Sequence, residues 1–172
     1  MPTLISLLNN PIFGALGAIG ILYSLVTLIA TGYLWAKGII PVWWRLGIGL
    51  SKRRIAIFAE DEFDNLKNVL VDSKLFQESN IKRIDKSSIK KAEGWTLLLV
   101  HWATFQNEID EIMNIKKDSC ALVVYAPPNE GRVPDNVMAK INHERNSILV
   151  NFRGRLLNDI LTCMITTAFE ES

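Results

Sequence analysis

The chain has 172 residues, 49% of them hydrophobic and 22% charged, with a formal net charge of +1 and a mean hydropathy of +0.17. A water-soluble domain of this size rarely averages above zero, so the apolar excess must be concentrated in one place. The length excludes a polytopic transporter or a multi-domain enzyme, and two histidines (His101, His143) with two cysteines lacking CxxC spacing (Cys120, Cys163) give no sequence-local metal site.

The excess lies at the start. No charged side chain occurs before Lys37, and Pro11 to Ala36 reads PIFGALGAIGILYSLVTLIATGYLWA. At about 1.5 Å per residue this stretch is long enough to cross a hydrocarbon layer of about 30 Å. A secretory signal would open with basic residues, whereas MPTLISLLNN has none. Lys37, Arg45, Lys52, Arg53 and Arg54 all follow the apolar stretch, so the positive-inside bias predicts a cytoplasmic C-terminal part. KGIIPVWWRLGIGL, with Pro41 and Arg45 inside it, reads as an interfacial or partly re-entrant segment, with a second crossing as the alternative. Gly14 with Ala18, and Gly20 with Ser24, have the small-xxx-small spacing that lets two helix backbones approach. Glycine is also simply common in membrane helices, so self-association and plain composition both account for the pattern. The organisation is therefore residues 1–50, a transmembrane helix and interfacial segment, and residues 51–172, a cytosolic domain.

From Ile55 onward fourteen Lys/Arg face eighteen Asp/Glu, a formal charge of −4, which argues against duplex DNA or RNA as a ligand. RRIAIFAE predicts a buried strand, and DEFDNLKNVLVDSKLF a helix with Phe63, Leu66, Val69 and Leu70 at helical spacing. NIKRID predicts a weaker strand and SSIKKAEG a short helix or turn. WTLLLVHW reads as the central strand, FQNEIDEIMNIKK as one amphipathic helix, and CALVVYAPP as a further buried strand. PDNVMAKINHE predicts a short helix, NSILVNF the last strand, and RLLNDILTCMITTAFEE the closing amphipathic helix. Strands this apolar, alternating with helices, call for a parallel sheet covered on both faces. The expected fold is α/β: a small five-stranded, Rossmann-like or flavodoxin-like domain behind an N-terminal transmembrane helix.

Ligands of such sheets sit beyond the carboxyl ends of the strands. That selects Glu60 and Asp61 after the first strand, His101, Trp102 and Thr104 after the third, Pro127 to Arg132 after the fourth, and Asn151, Arg153, Gly154 and Arg155 after the fifth. IAIFAEDEFDNL resembles the opening of a response-regulator receiver domain. The third strand, however, ends in LLVHW without a phosphoryl-accepting aspartate, and the last in VNFRG without the lysine–proline pair. Glu60, Asp61 and Glu62 therefore read as acids favouring a helix N-terminus. NFRGRLLNDI sets two arginines around a glycine at a helix start, where free N–H groups favour an anion and guanidinium forks suit phosphate. Pairing of those arginines with neighbouring carboxylates is the competing expectation. For His101 and Trp102 the choice is between phosphate or base contacts and ordinary packing. GxSxG, GxxxxGK[ST] and HExxH are all missing, and Glu108 and Glu111 lack the flanking signatures of a TIR-like NAD-cleaving domain. A non-enzyme without cofactor, metal or catalytic residues is expected.

A membrane helix joined to a compact Rossmann-like domain, together with NFRGRLLNDI and the strand-end residues, resembles the transmembrane effectors of bacterial cyclic-nucleotide antiviral signalling, of the CBASS, Panoptes and type III CRISPR-associated kinds. The resemblance implies a cyclic di- or oligonucleotide ligand bound by His101, Trp102, Thr104, Asn151, Arg153, Gly154 and Arg155. It also implies homo-oligomers that disrupt the inner membrane, with membrane lipid as a partner. The ligand acts as activator in CBASS-type effectors and as inhibitor in Panoptes-type ones, and the residues do not decide between them. The rival expectation is a membrane-tethered, receiver-like module that recruits a protein partner.

Overall fold

The computed structural model describes the backbone of residues 11–167 and the side chains of 15–38, 49–165 and 167. Expectations for residues 1–10 and 168–172, and for the side chains at Gly14 and Arg45, lie outside the described residues. Two compact units divide between Arg45 and Leu46.

Helix α1 (Pro11–Ser51) opens the chain. Its segment Ala15–Gly38, 24 residues, is long and apolar enough to cross a membrane. Its large apolar side chains face outward, Ile21 at 73% and Leu28 at 72% exposure, as a helix surrounded by a non-aqueous phase requires. The hydroxyls inside it are satisfied locally: Ser24 donates to the Gly20 carbonyl (2.8 Å) and Thr27 to the Tyr23 carbonyl (2.9 Å). Gly17, Gly20 and Ser24 line a shallow groove with Ile21, Leu25 and Leu28. Gly20 and Ser24 thus share a face, while Ala18 is about 100° round the helix from Gly17. KGIIPVWWRLGIGL falls within the same helix, Pro11–Ser51. Pro41 lies inside this helix and removes the N–H that would meet the Lys37 carbonyl.

The second unit is a five-stranded, all-parallel sheet in the order β2-β1-β3-β4-β5. The strands are β1 (Ile55–Phe58), β2 (Ile81–Arg83), β3 (Leu97–His101), β4 (Ala121–Tyr125) and β5 (Ser147–Val150). The helices are α2 (Phe63–Asp72), α3 (Trp102–Phe105), α4 (Ile109–Ile115), α5 (Asp135–His143) and α6 (Arg153–Thr166). Every residue of β1, β3 and β4 is buried, because helices cover both faces.

The two-residue strand period sorts these side chains. Ile55, Ile57, Leu97, Leu99 and Val123 meet Leu66 and Leu70 of α2 and Leu156, Ile160 and Met164 of α6. Ala56, Phe58, Leu98, Val100 and Val124 meet Trp102, Phe105, Ile109, Ile112 and Ile141 on the other face, with Phe58 edge-on to Phe105 at 5.7 Å. Leu50, in the last turn of α1, is buried in the first layer, and Asn80 Nδ2 donates to the Ser51 carbonyl at 2.9 Å.

Local differences from expectation have local causes. Helix α2 stops at Asp72 because Lys74 takes a left-handed φ of 57°. The helix expected over FQNEIDEIMNIKK splits into α3 and α4, since Trp102 and Phe105 bury in the second layer before the chain turns through Gln106 to Glu108. Residues 87–92 of SSIKKAEG lie in a 3₁₀ segment, Lys86–Ala92, broken at Ser88.

Candidate functional site

Strand order reverses between β1 and β3, so the carboxyl ends of β1, β3 and β4 frame the crevice where open α/β sheets take ligands. His101 is the last residue of β3 and pairs across the ladder with Tyr125, the last of β4. Their rings lie 6.0 Å apart and tilted by 33°. The His101 side chain is 4% exposed, and its Nε2 is 2.6 Å from Glu130 Oε2, in the loop after β4. That contact has ion-pair distance without hydrogen-bond alignment. On the other side of the ring, Nδ1 is 3.1 Å from Thr104 Oγ1, which is also 3.3 Å from the His101 carbonyl oxygen. One hydroxyl hydrogen serves one acceptor at a time. An imidazolium would donate Nδ1–H to Thr104 and free the hydroxyl for the carbonyl; a neutral ring protonated at Nε2 would accept the hydroxyl at Nδ1.

Tyr125 is 7% exposed, and its hydroxyl has no hydrogen-bond partner among the described residues. Burial holds its pKa above the ordinary value, Arg153 opposing and Glu62 and Glu130 adding to the shift. Those four groups are therefore electrostatic neighbours. Arg153 is exposed, the first residue of α6, and donates from Nη2 to the Asn65 carbonyl of α2 at 3.3 Å. No carboxylate pairs with it among the described residues. Helix α6 has no side-chain cap, so the N–H groups at its start have no side-chain acceptor.

The two arginines of NFRGR part company. Two helical positions amount to about 200° of rotation, which sends Arg153 towards α2 and Arg155 towards the open edge of β5. Arg155 Nη2 stands 3.8 Å from Asp159 Oδ1, one turn on. The pairing of an arginine with a neighbouring carboxylate thus holds for Arg155 and not for Arg153. Gly154 is exposed, and a Cβ there would meet nothing within 4 Å, so close backbone approach does not require the glycine. Asn151 lines two clefts, one of about 140 Å³ with Phe152, Arg155 and Asp159, the other of about 300 Å³ with Pro128, Gly131 and Arg132.

Of the residues expected to bind a ligand, His101 stands beside Tyr125 and contacts Thr104, Arg153 reaches α2 from the start of α6, and Asn151 and Arg155 lie at the β5 edge. Gly154 sits between the two arginines on α6. Trp102 joins none of them: strand parity turns it to the opposite face, where it is 4% exposed in the second core layer. Glu60 is 3.4 Å from Lys86. Tyr125, Phe152 and Asp159 were not signalled individually by the sequence. Phe152 alone was findable, as an aromatic inside the arginine-bearing stretch. Among the described residues no group of three His, Cys, Asp or Glu side chains is placed to hold a metal ion.

Strand order and two-sided helix cover define the class: a Rossmann-like, flavodoxin-like α/β domain, behind an N-terminal helix long and apolar enough to span a membrane. Comparison with protein-family models, with curated proteins and with solved structures finds no match to the chain.

Proposed function

We propose that the chain is a membrane-anchored effector of the cyclic-nucleotide antiviral kind, its soluble domain taking a cyclic di- or oligonucleotide at the carboxyl end of the sheet. The observation that carries this reading is Arg153. It is an exposed guanidinium at the start of a 14-residue helix, and its one hydrogen bond goes to a backbone carbonyl. It lies within electrostatic reach of the unpartnered Tyr125 hydroxyl. A phosphate there gains a planar fork and helix N–H donors. The acidic balance of the domain favours a small phosphorylated ligand over a polynucleotide.

In this reading α1 anchors the chain in the bacterial inner membrane with the domain on the cytoplasmic side, where the basic residues after the apolar stretch belong. Helices of several copies meet through the Gly17–Gly20–Ser24 groove, and the ligand shifts the oligomer equilibrium by its differential affinity for the two arrangements.

The test is calorimetry of the full chain in detergent micelles against cyclic di- and oligonucleotides, with linear mononucleotides as controls. Saturable binding of a cyclic species, lost in Arg153→Ala, supports the reading. Absence of binding across the panel overturns it and favours the tethered protein-recruiting module.

A further inference from the structure

The smaller cleft at the sheet edge carries a more specific reading. Strand β5 pairs only with β4, and the carbonyls of Asn146 and Val150 accept from Leu122 and Ala126 of that strand. The backbone groups of Leu149, between them, face the open edge. Against this edge lies the Asp159 carboxylate, 8% exposed. It accepts no hydrogen bond from any described residue, and Arg155, at 3.8 Å, is beyond hydrogen-bond distance. A buried carboxylate with unused acceptors facing a cleft is a site awaiting donors. Phe152, 61% exposed with no aromatic neighbour among the described residues, stands at the rim.

We infer that this cleft takes a guanine base of the ligand. The inference rests on the nucleotide reading above and adds the identity of the base. A cleft of about 140 Å³ suits one planar base better than an extended peptide. An exposed phenyl ring offers the stacking face that unpaired bases seek. Guanine presents two adjacent donors, N1–H and the 2-amino group, which match the two oxygens of one carboxylate. Adenine, cytosine and uracil each present a single donor group on that edge. The Asn151 amide and the Leu149 backbone are available for the remaining polar atoms, and Arg155, which lines the same cleft, offers a guanidinium to a phosphate on the attached ribose.

The test compares cyclic di-GMP with cyclic di-AMP by calorimetry on the full chain in micelles. Wild type is expected to favour cyclic di-GMP by about tenfold or more, the discrimination of a matched bidentate pair. Asp159→Asn should reduce that ratio to near one, with circular dichroism confirming the fold. Phe152→Ala, a surface change, should weaken both ligands by about tenfold. Equal or better binding of cyclic di-AMP by wild type, or an unchanged ratio in Asp159→Asn, overturns the guanine assignment and leaves the nucleotide reading standing. Binding of neither ligand, with only a guanine-free cyclic nucleotide bound, does the same, whereas binding of a mixed one that contains guanine, lost in Asp159→Asn, sustains the assignment. Binding of no cyclic nucleotide removes both.

Discussion

His101 Nε2 and Glu130 Oε2 stand 2.6 Å apart, joining the end of β3 to the loop that follows β4. The loop's own carboxylate thus occupies the position next to the buried imidazole, whereas Arg153 has no carboxylate partner among the described residues.

Removing that guanidinium should show in affinity alone. Arg153→Ala is expected to weaken binding of the cyclic nucleotide by about tenfold or more, the loss of a charge-assisted contact. Because the side chain is exposed and holds one backbone carbonyl, the melting temperature should stay within about 3 °C of wild type. Unchanged affinity by calorimetry would place the phosphate elsewhere.

Glu130→Gln keeps the shape of the loop residue and removes its charge. The Glu130 side chain is 32% exposed, so solvent screening limits the loss to about 1 kcal/mol. The effect should be local: faster amide hydrogen exchange in residues 129–132, with exchange in β3 and β4 unchanged. Uniform acceleration across the sheet would show that the pair supports the core and not the loop.

Cys120 supplies a pH dependence. Burial pushes its thiol up to about 12 from an ordinary 9.0, with nearby Lys116 acting the other way. The raised value belongs to the folded state, so the contribution is fully present below about pH 9. It is lost as pH climbs towards 12, at about 1.4 kcal/mol per pH step within that interval. Denaturant midpoints should fall accordingly between pH 9 and pH 11, and Cys120→Ala should flatten the fall. Burial also raises the Cys163 thiol, so neither cysteine should react with Ellman's reagent in the native protein at pH 8.

The α1 groove makes a membrane prediction. A Cβ at Gly20 meets nothing within 4 Å, so Gly20→Ile leaves the helix itself intact. A drop of about tenfold in self-association in a bilayer reporter assay, and lower toxicity at equal expression, are expected where two helices meet at this face. Wild-type association and killing by Gly20→Ile and Ala18→Ile together would exclude glycine-mediated packing.

Much of the architecture is written in one dimension. An uncharged run before Lys37 sets the long apolar helix, and apolar tetrads such as Ile55–Phe58 and Leu97–Val100 demand burial on both faces, hence parallel strands under helices. Residues on strand ends were locatable because strand ends are. Which of them share a site was not. Adjacent residues on an extended chain point to opposite faces, so His101 and Trp102, neighbours in sequence, end in a polar cluster and a hydrophobic core. Residues two apart on a helix diverge similarly, separating Arg153 from Arg155. The partners themselves, Glu130 for His101 and Asp159 for Arg155, depend on how a loop folds back and where α6 lies against β5. Hydrophobic periodicity settles layers and order; long-range packing alone decides which polar groups those layers bring within reach of each other.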